Sequence, residues 1–203
     1  LSTAYFAPIS YYASFLRYDR IVIEQWCNYT KQTYRNRCHI AGANGLLALS
    51  VPIVKPDTIK CPTKDIRISD HGEWRHLHWN AIASAYGSSP FFEYYQDDIR
   101  PFFEKRYEFL LDFNEEIRRT VCNLIGIEPH IEYSSSYSEP APGETDLRDV
   151  IHPKRRKAET ILPVQLKPYY QVFSEKYGFQ PDLSIIDLLM NMGPESILIL
   201  QNT

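Results

Sequence analysis

The chain has 203 residues, long enough for one domain with a real core, and 44% of them are hydrophobic. A net charge of -3 supplies no global basic field for nucleic acid or an anionic membrane surface. Neither the four cysteines, none spaced C-x-x-C, nor the six histidines complete a zinc pattern, so no metal or cofactor is expected and the thiols read as reduced.

Ser2–Phe6 reads as a short strand ended by Pro8. Ser10 is placed to cap a helix over Tyr11–Tyr18, where Tyr11, Tyr12, Phe15 and Leu16 form an apolar stripe. Arg20–Trp26 is a continuous apolar strand. Strand, helix, strand in this order predicts an opening β-α-β unit with parallel strands. Arg37–Ile40 and Leu46–Ile53 flank AGANG and predict a hairpin. Residues 54–71 form a loop with one strand at Asp65–Ser69.

Trp74, Leu77, His78, Ala81, Ile82 and Ala85 recur at helical steps and predict a helix over Glu73–Tyr86 with that face buried. A short helix follows at Pro90–Tyr95. A long one spans Arg100–Ile125, with Phe103, Tyr107, Leu110, Phe113 or Asn114, Ile117, Val121 and Leu124 inward and Gly126 as its stop. His130–Tyr137 reads as a strand. Residues 138–163 are proline-rich and mixed in charge, an exposed excursion that could act as a lid. Gln171–Phe179 and Leu183–Asn191 are helical, and Ser196–Gln201 closes the chain. The expected architecture is a single α/β domain over 1–203, a small mixed sheet flanked by helices. No apolar run reaches the roughly 18 residues of a membrane helix and no signal-peptide layout opens the chain, which reads as cytoplasmic.

The stretch NYTKQTYRNR, Asn28–Arg37, holds three cations, two tyrosines and no aliphatic residue. If extended, it presents Lys31, Arg35 and Arg37 on one face and Gln32, Tyr34 and Asn36 on the other, with Arg35 and Arg37 about 6.6 Å apart. Two guanidinium forks at that spacing suit a phosphate or diphosphate. The bland reading is a solvated edge strand guarded by cations. Glu24 ends an apolar strand, where α/β sheets place ligands.

His76 and His78 point about 200° apart on a helix and cannot share a metal. His78 is a core histidine or a general base. Arg75 lies close enough to His78 in sequence to serve one pocket with it. Ser184 and Asp187 have the spacing of a capping box. A buried Asp187 would need a cation such as Arg37. Lys154–Lys157 are four adjacent cations that read as a solvated loop or as part of a lid over an anion. No phosphate-loop, dinucleotide or nucleophile-elbow motif occurs.

Taken as a string, NYTKQTYRNR resembles a pattern of the WbqC-like protein family, Y-[ST]-K-x-[ST]-[YW]-x-N-R-x-x-I, with Tyr29, Thr30, Lys31, Thr33, Tyr34, Asn36, Arg37 and Ile40 fitting it. The likeness continues through Trp74, His78, Ile82 and Tyr86 into SSPFF, and again at Pro181, Leu183, Ser184, Asp187 and Gly193. Many members carry a histidine–glutamine pair where this chain has Phe6 and Ala7. The resemblance implies a role in surface-polysaccharide biosynthesis of the O-antigen type. The activity it implies is a group transferase on a nucleotide- or lipid-linked sugar; a non-catalytic binding or scaffold protein of the same pathway is the alternative.

Together these readings expect Lys31, Arg35 and Arg37 to hold an anionic substrate, with Tyr34, Asn36, Arg75, Tyr86 and Asp187 also in the site and His78 or Glu24 moving a proton. The arrangement requires Arg37 to open into a hollow shared with His78. A small-molecule partner is expected, a nucleotide sugar among the candidates, with no nucleic acid and no membrane insertion; a homo-oligomer is left open.

Overall fold

The computed structural model describes residues 1–58, 60–154 and 166–203. Helix α1 (Ile9–Arg17) starts after Pro8, whose fixed φ prepares the first turn. Ser10 is inside that turn rather than capping it. Its backbone N–H and its hydroxyl both donate to the carboxylate of Asp182, at 2.9 and 3.0 Å. A residue 172 positions away thus satisfies the helix start, which local sequence cannot show.

The opening β-α-β unit is present in reduced form. Strand β1 (Ile21–Ile23) pairs in parallel with β4 (Ile131–Tyr133), and Ser2 makes a parallel bridge to Glu24 on its other side. The expected strands at Ser2–Phe6 and Arg20–Trp26 are cut short for two reasons. Tyr5 donates its N–H to the Tyr34 carbonyl instead, and Phe6 turns the chain with φ 36°. Past β1, the Glu24 carboxylate takes the N–H groups of Trp26 and Cys27, which curls the chain out of the sheet.

The predicted hairpin forms as β2 (Arg37–Gly42) and β3 (Gly45–Ser50), antiparallel, with Gly42 opposite Gly45. β2 is buried from Cys38 onward, whereas Leu46, Leu47 and Ala48 of β3 are exposed.

Helix α2 (Trp74–Tyr86) buries Trp74, His78, Ile82, Ala85 and Tyr86. Leu77, expected inward, is 59% exposed. The buried face is narrower than the periodicity implied because Tyr86, not Leu77, completes it. Helix α3 (Phe92–Ile99) leads directly into α4 (Pro101–Glu104).

The long helix expected over Arg100–Ile125 is two helices, α4 and α5 (Leu110–Ile125). Between them Lys105 is extended, and the chain pairs with the 66–68 segment: Ile68 N–H donates to the Glu108 carbonyl and Leu110 N–H to the Ile66 carbonyl. The apolar stripe survives the break, since Phe103, Leu110, Phe113, Ile117 and Val121 are all buried. Gly126 ends α5 in the left-handed region, φ 78°, as the sequence predicts.

Of the helix expected at Gln171–Phe179 only α6 (Ser174–Tyr177) forms, because the Gln171 side chain bonds the backbone of Gln180. Helices α7 (Ile185–Met192) and α8 (Ser196–Gln201) close the fold, joined by a 3-10 turn at Gly193–Glu195. Two small sheets, one parallel and one antiparallel, flanked by helices make a single α/β domain.

Gly193 has φ 54° and packs directly on the Phe91 ring, so an added Cβ would collide with that ring. Gly193→Ala is expected to lower stability by about 1–3 kcal/mol through overpacking, checked by urea unfolding. A Phe91→Leu background should recover part of the loss.

Candidate functional site

NYTKQTYRNR is a turn, not a strand. Gln32 adopts left-handed backbone (φ 61°), and the Thr33 hydroxyl donates to the Thr30 carbonyl at 2.9 Å. The three cations therefore do not share a face. Lys31 is exposed, Arg35 is buried, and Arg37 starts β2 half-buried. Arg35 Nη2 donates to Ser2 Oγ (2.9 Å) and Cys27 Sγ (3.2 Å), while Arg37 Nε donates to Ser50 Oγ (2.9 Å). Burial pushes the Tyr29 phenol up to about 12, against the pull of Arg35 and Arg37, so both guanidiniums act on that ring.

Asn36 pairs with Val51 in both directions: its Nδ2 donates to the Val51 carbonyl and its own carbonyl accepts the Val51 N–H, both at 2.8 Å. This pair pins the end of the turn to the end of β3. Tyr34 is buried and its carbonyl holds the Tyr5 N–H.

His78 is enclosed. Its Nδ1 and the Tyr5 hydroxyl share a hydrogen bond at 2.8 Å, and the Trp74 ring lies edge-on at 5.1 Å. Burial lowers its pKa from 6.5 to about 4, opposed by a hydrogen bond with the Ser50 backbone. Arg37 and His78 thus meet at one residue, Ser50, from its hydroxyl and its backbone. Neither lines the clefts described here. Phe6, at the position where a histidine was looked for, is fully buried and stacks on Phe103 at 6.0 Å; Phe103 in turn faces His78 at 6.4 Å.

The depressed pKa of His78 sets a pH dependence. The unfolded chain takes up the proton near 6.5, before the folded chain does near 4, so the stability His78 contributes above 6.5 is lost as pH falls through that window. The loss is expected to reach roughly 3 kcal/mol, at 1.36 kcal/mol per unit. Urea midpoints measured between pH 7 and 4 check it, and His78→Gln should flatten the slope.

Asp187 and Tyr86 are at a different place, the interior. Asp187 is 0% exposed and accepts from Tyr86 OH (2.9 Å), Tyr169 OH (2.5 Å) and Gln171 Nε2 (2.9 Å). The expectation that a buried Asp187 takes a cation such as Arg37 is corrected: two phenols and an amide satisfy it, and burial raises its pKa. The capping box is also only half formed. Ser184 Oγ accepts the Ile186 N–H, but the Asp187 carboxylate goes to the tyrosines instead.

Arg75 is paired with Asp70 and Trp74. Its Nη1 donates to Asp70 at 2.6 Å and its guanidinium lies 4.7 Å from the Trp74 ring centre. It lines a cleft of about 490 Å³ with His76, Trp79, Arg100 and Phe103, where Glu73 and Glu104 offset the cations.

Glu24 is the expected residue that lines a cleft with a buried reactive group. It is 5% exposed and sits just past β1, beside a cleft of about 350 Å³ between that strand and residues 138–148. Its Oε1 is held by three donors: Trp26 N–H (2.6 Å), Cys27 N–H (3.1 Å) and Ser134 Oγ (3.0 Å). Among the described residues its Oε2 has only the longer approach of Arg148, at 3.8 Å. Arg148 is itself fixed by a two-pronged contact with Asp146, and its guanidinium lies 5.4 Å from the centre of the Tyr137 ring. Four carboxylates line the cleft (Asp19, Glu24, Glu144, Asp146) against two guanidiniums, Arg20 and Arg148. Leu147 and Ile151, within the expected excursion, are buried; Arg155–Lys157 and the rest of that segment to 163 lie outside the described residues.

Arg148, Asp146 and Ser134 carry no motif, and sequence reading missed them. The one available signal was DLRD, a cation between carboxylates beside apolar residues. Among the described residues no three His, Cys, Asp or Glu side chains gather as metal ligands, and no helix is long and apolar enough to cross a membrane.

The model of the WbqC-like protein family matches residues 3–165. The chain belongs to the WbqC-like protein family. A relative, "Uncharacterized protein Rv1507c" of Mycobacterium tuberculosis (strain ATCC 25618 / H37Rv), is 26% identical over 214 residues, covering 95% of this chain and 89% of the relative. No solved structure matches. This WbqC-like chain keeps the Asn36–Val51 and Arg37–Ser50 contacts as internal ties between its signature turn and its hairpin.

Proposed function

We propose that this WbqC-like protein is a cytoplasmic group transferase of surface-polysaccharide biosynthesis, acting on a nucleotide- or lipid-linked sugar, with Glu24 as the base. The observation that carries the reading is the Glu24 carboxylate: the residue lines the cleft, with one oxygen immobilised by three donors and the other approached by Arg148 at 3.8 Å. A carboxylate so held can take the proton from an attacking hydroxyl or amine. The excess of carboxylates around it favours a neutral or amino-bearing sugar at that end over a phosphate. Lys31, exposed on the turn, is the candidate for the anionic end of the substrate, while Arg37 is occupied in tying that turn to Ser50. His78, walled in by Tyr5, Trp74 and Phe103, suits a structural role better than proton transfer.

Calorimetry with nucleotide-linked sugars, followed by turnover of wild type and Glu24→Gln, tests this. Binding that survives the substitution while turnover is lost supports catalysis. Binding without turnover in the wild type favours the second reading, a non-catalytic binding protein of the same pathway, for which the enclosed His78 speaks.

A further inference from the structure

Residues 166–180 hold a single helical turn, α6, and otherwise no regular structure. Lys167, Pro168 and Tyr170 are exposed, whereas Tyr169 and Gln171, which alternate with them, are buried. Both buried side chains end on the same atom, Asp187 Oδ2, with Tyr169 OH at 2.5 Å and Gln171 Nε2 at 2.9 Å. Gln171 also closes the segment on itself. Its Nε2 donates to the Gln180 carbonyl and its Oε1 accepts the Gln180 N–H, both at 2.9 Å. The Phe179 ring meets the Tyr169 ring edge-on at 5.3 Å, so the two ends of the segment pack on each other.

A second attachment lies at the hairpin tip, where Lys176 Nζ and Tyr177 OH donate to the Ala43 carbonyl at 2.9 and 2.8 Å. That contact is exposed, and water competes for the carbonyl, so it contributes little. The inner attachment differs. Asp187 is fully buried, and among the described residues no cation pairs with it, so its hydrogen bonds are what offset the cost of burial. Two of its three side-chain donors belong to the 166–180 segment, and the third is Tyr86 OH. The segment can leave only by taking both donors with it, and the carboxylate stays dry only while the segment is docked.

We propose that residues 166–180 form a strap that opens and closes as one unit, with Asp187 as its latch. Opening uncovers the Asp187 carboxylate and the Tyr86 hydroxyl bonded to it; closing buries both. The inference is independent of the role given to Glu24.

Hydrogen exchange on the full chain tests it. A single helical turn does not persist in water once undocked. The N–H groups of Lys176, Tyr177, Gly178 and Gln180, all hydrogen-bonded within the strap, therefore report its opening. In the wild type they are expected to exchange through an opening that leaves the α5 amides protected. Tyr169→Phe keeps the ring and removes one latch bond. It should speed exchange at these four positions by about tenfold, the effect of one buried hydrogen bond, with α5 unchanged. Asp187→Asn should act in the same direction and more strongly. Strap amides as well protected as those of α5, no acceleration in Tyr169→Phe, or an acceleration equal in the strap and α5 would each overturn the proposal. If Asp187→Asn fails to fold, the wild type and Tyr169→Phe decide.

Discussion

Glu24→Gln is expected to lower turnover by about 10²–10⁴-fold, the range that a positioned proton-transfer group supplies, with little change in stability. The substitution is informative because the two oxygens of Glu24 have separate partners. A glutamine can keep its Oε1 on the Trp26 and Cys27 N–H groups and on Ser134, so the loop after β1 stays closed. What changes is the other position, where an amide replaces the oxygen that Arg148 approaches, in a residue that lines the cleft. The neighbouring Arg148 is 3.8 Å away and already bonded to Asp146, so losing the charge leaves no new unpaired cation. Glu24→Ala should instead release all three donors and lower stability as well as rate, since two buried or half-buried amides would be left without an acceptor. Ligand affinity by calorimetry, rates, and urea midpoints on the same three proteins separate these outcomes. Full turnover by Glu24→Gln with an intact fold would remove Glu24 from the chemistry.

The contrast between Glu24 and Arg37 shows what the sequence could reveal. Glu24 was legible because a carboxylate at the end of an apolar run has a physical rule behind it, and the structure puts it at the end of β1, against a cleft. The spacing of Lys31, Arg35 and Arg37 rested on period-2 alternation, and that rule applies only if the backbone is extended. One left-handed residue, Gln32, breaks the alternation and sends the three cations to solvent, interior and strand start. Nothing in a glutamine announces that conformation.

The fold shows the same division. The hairpin, the Gly126 stop and the inward stripe of α5 follow from local patterns. The break at 105–109 depends on hydrogen bonds to residues 66–68, and the start of α1 on Asp182; both are contacts between distant parts of the chain. Asp187 illustrates the limit at a single residue. Its spacing from Ser184 satisfied a capping rule, yet tertiary structure offered Tyr86, Tyr169 and Gln171, and three buried hydrogen bonds outweigh one return bond to the helix start.

Phe113→Ala is expected to cost about 3–5 kcal/mol, the usual range for removing a fully buried aromatic ring. The ring is 0% exposed and central: Tyr5 stacks on it at 5.6 Å, Tyr107 lies at 4.8 Å, Trp74 at 5.9 Å and Phe102 at 6.3 Å. These four neighbours come from different parts of the chain, so no single shift can close the space. The loss would be a large share of the roughly 5–15 kcal/mol that stabilises a typical domain. It should also loosen Tyr5, and through the Tyr5–His78 hydrogen bond the histidine's environment, so the pH slope attributed to His78 should shrink in the same variant. Leu77→Ala, on the exposed side of α2, is the matched control and should stay within about 0.5 kcal/mol of wild type. Equilibrium urea unfolding with an unchanged slope measures both. A Phe113→Ala loss below about 1 kcal/mol would mean that the site relaxes far more than the close-packed interior of a folded protein normally permits.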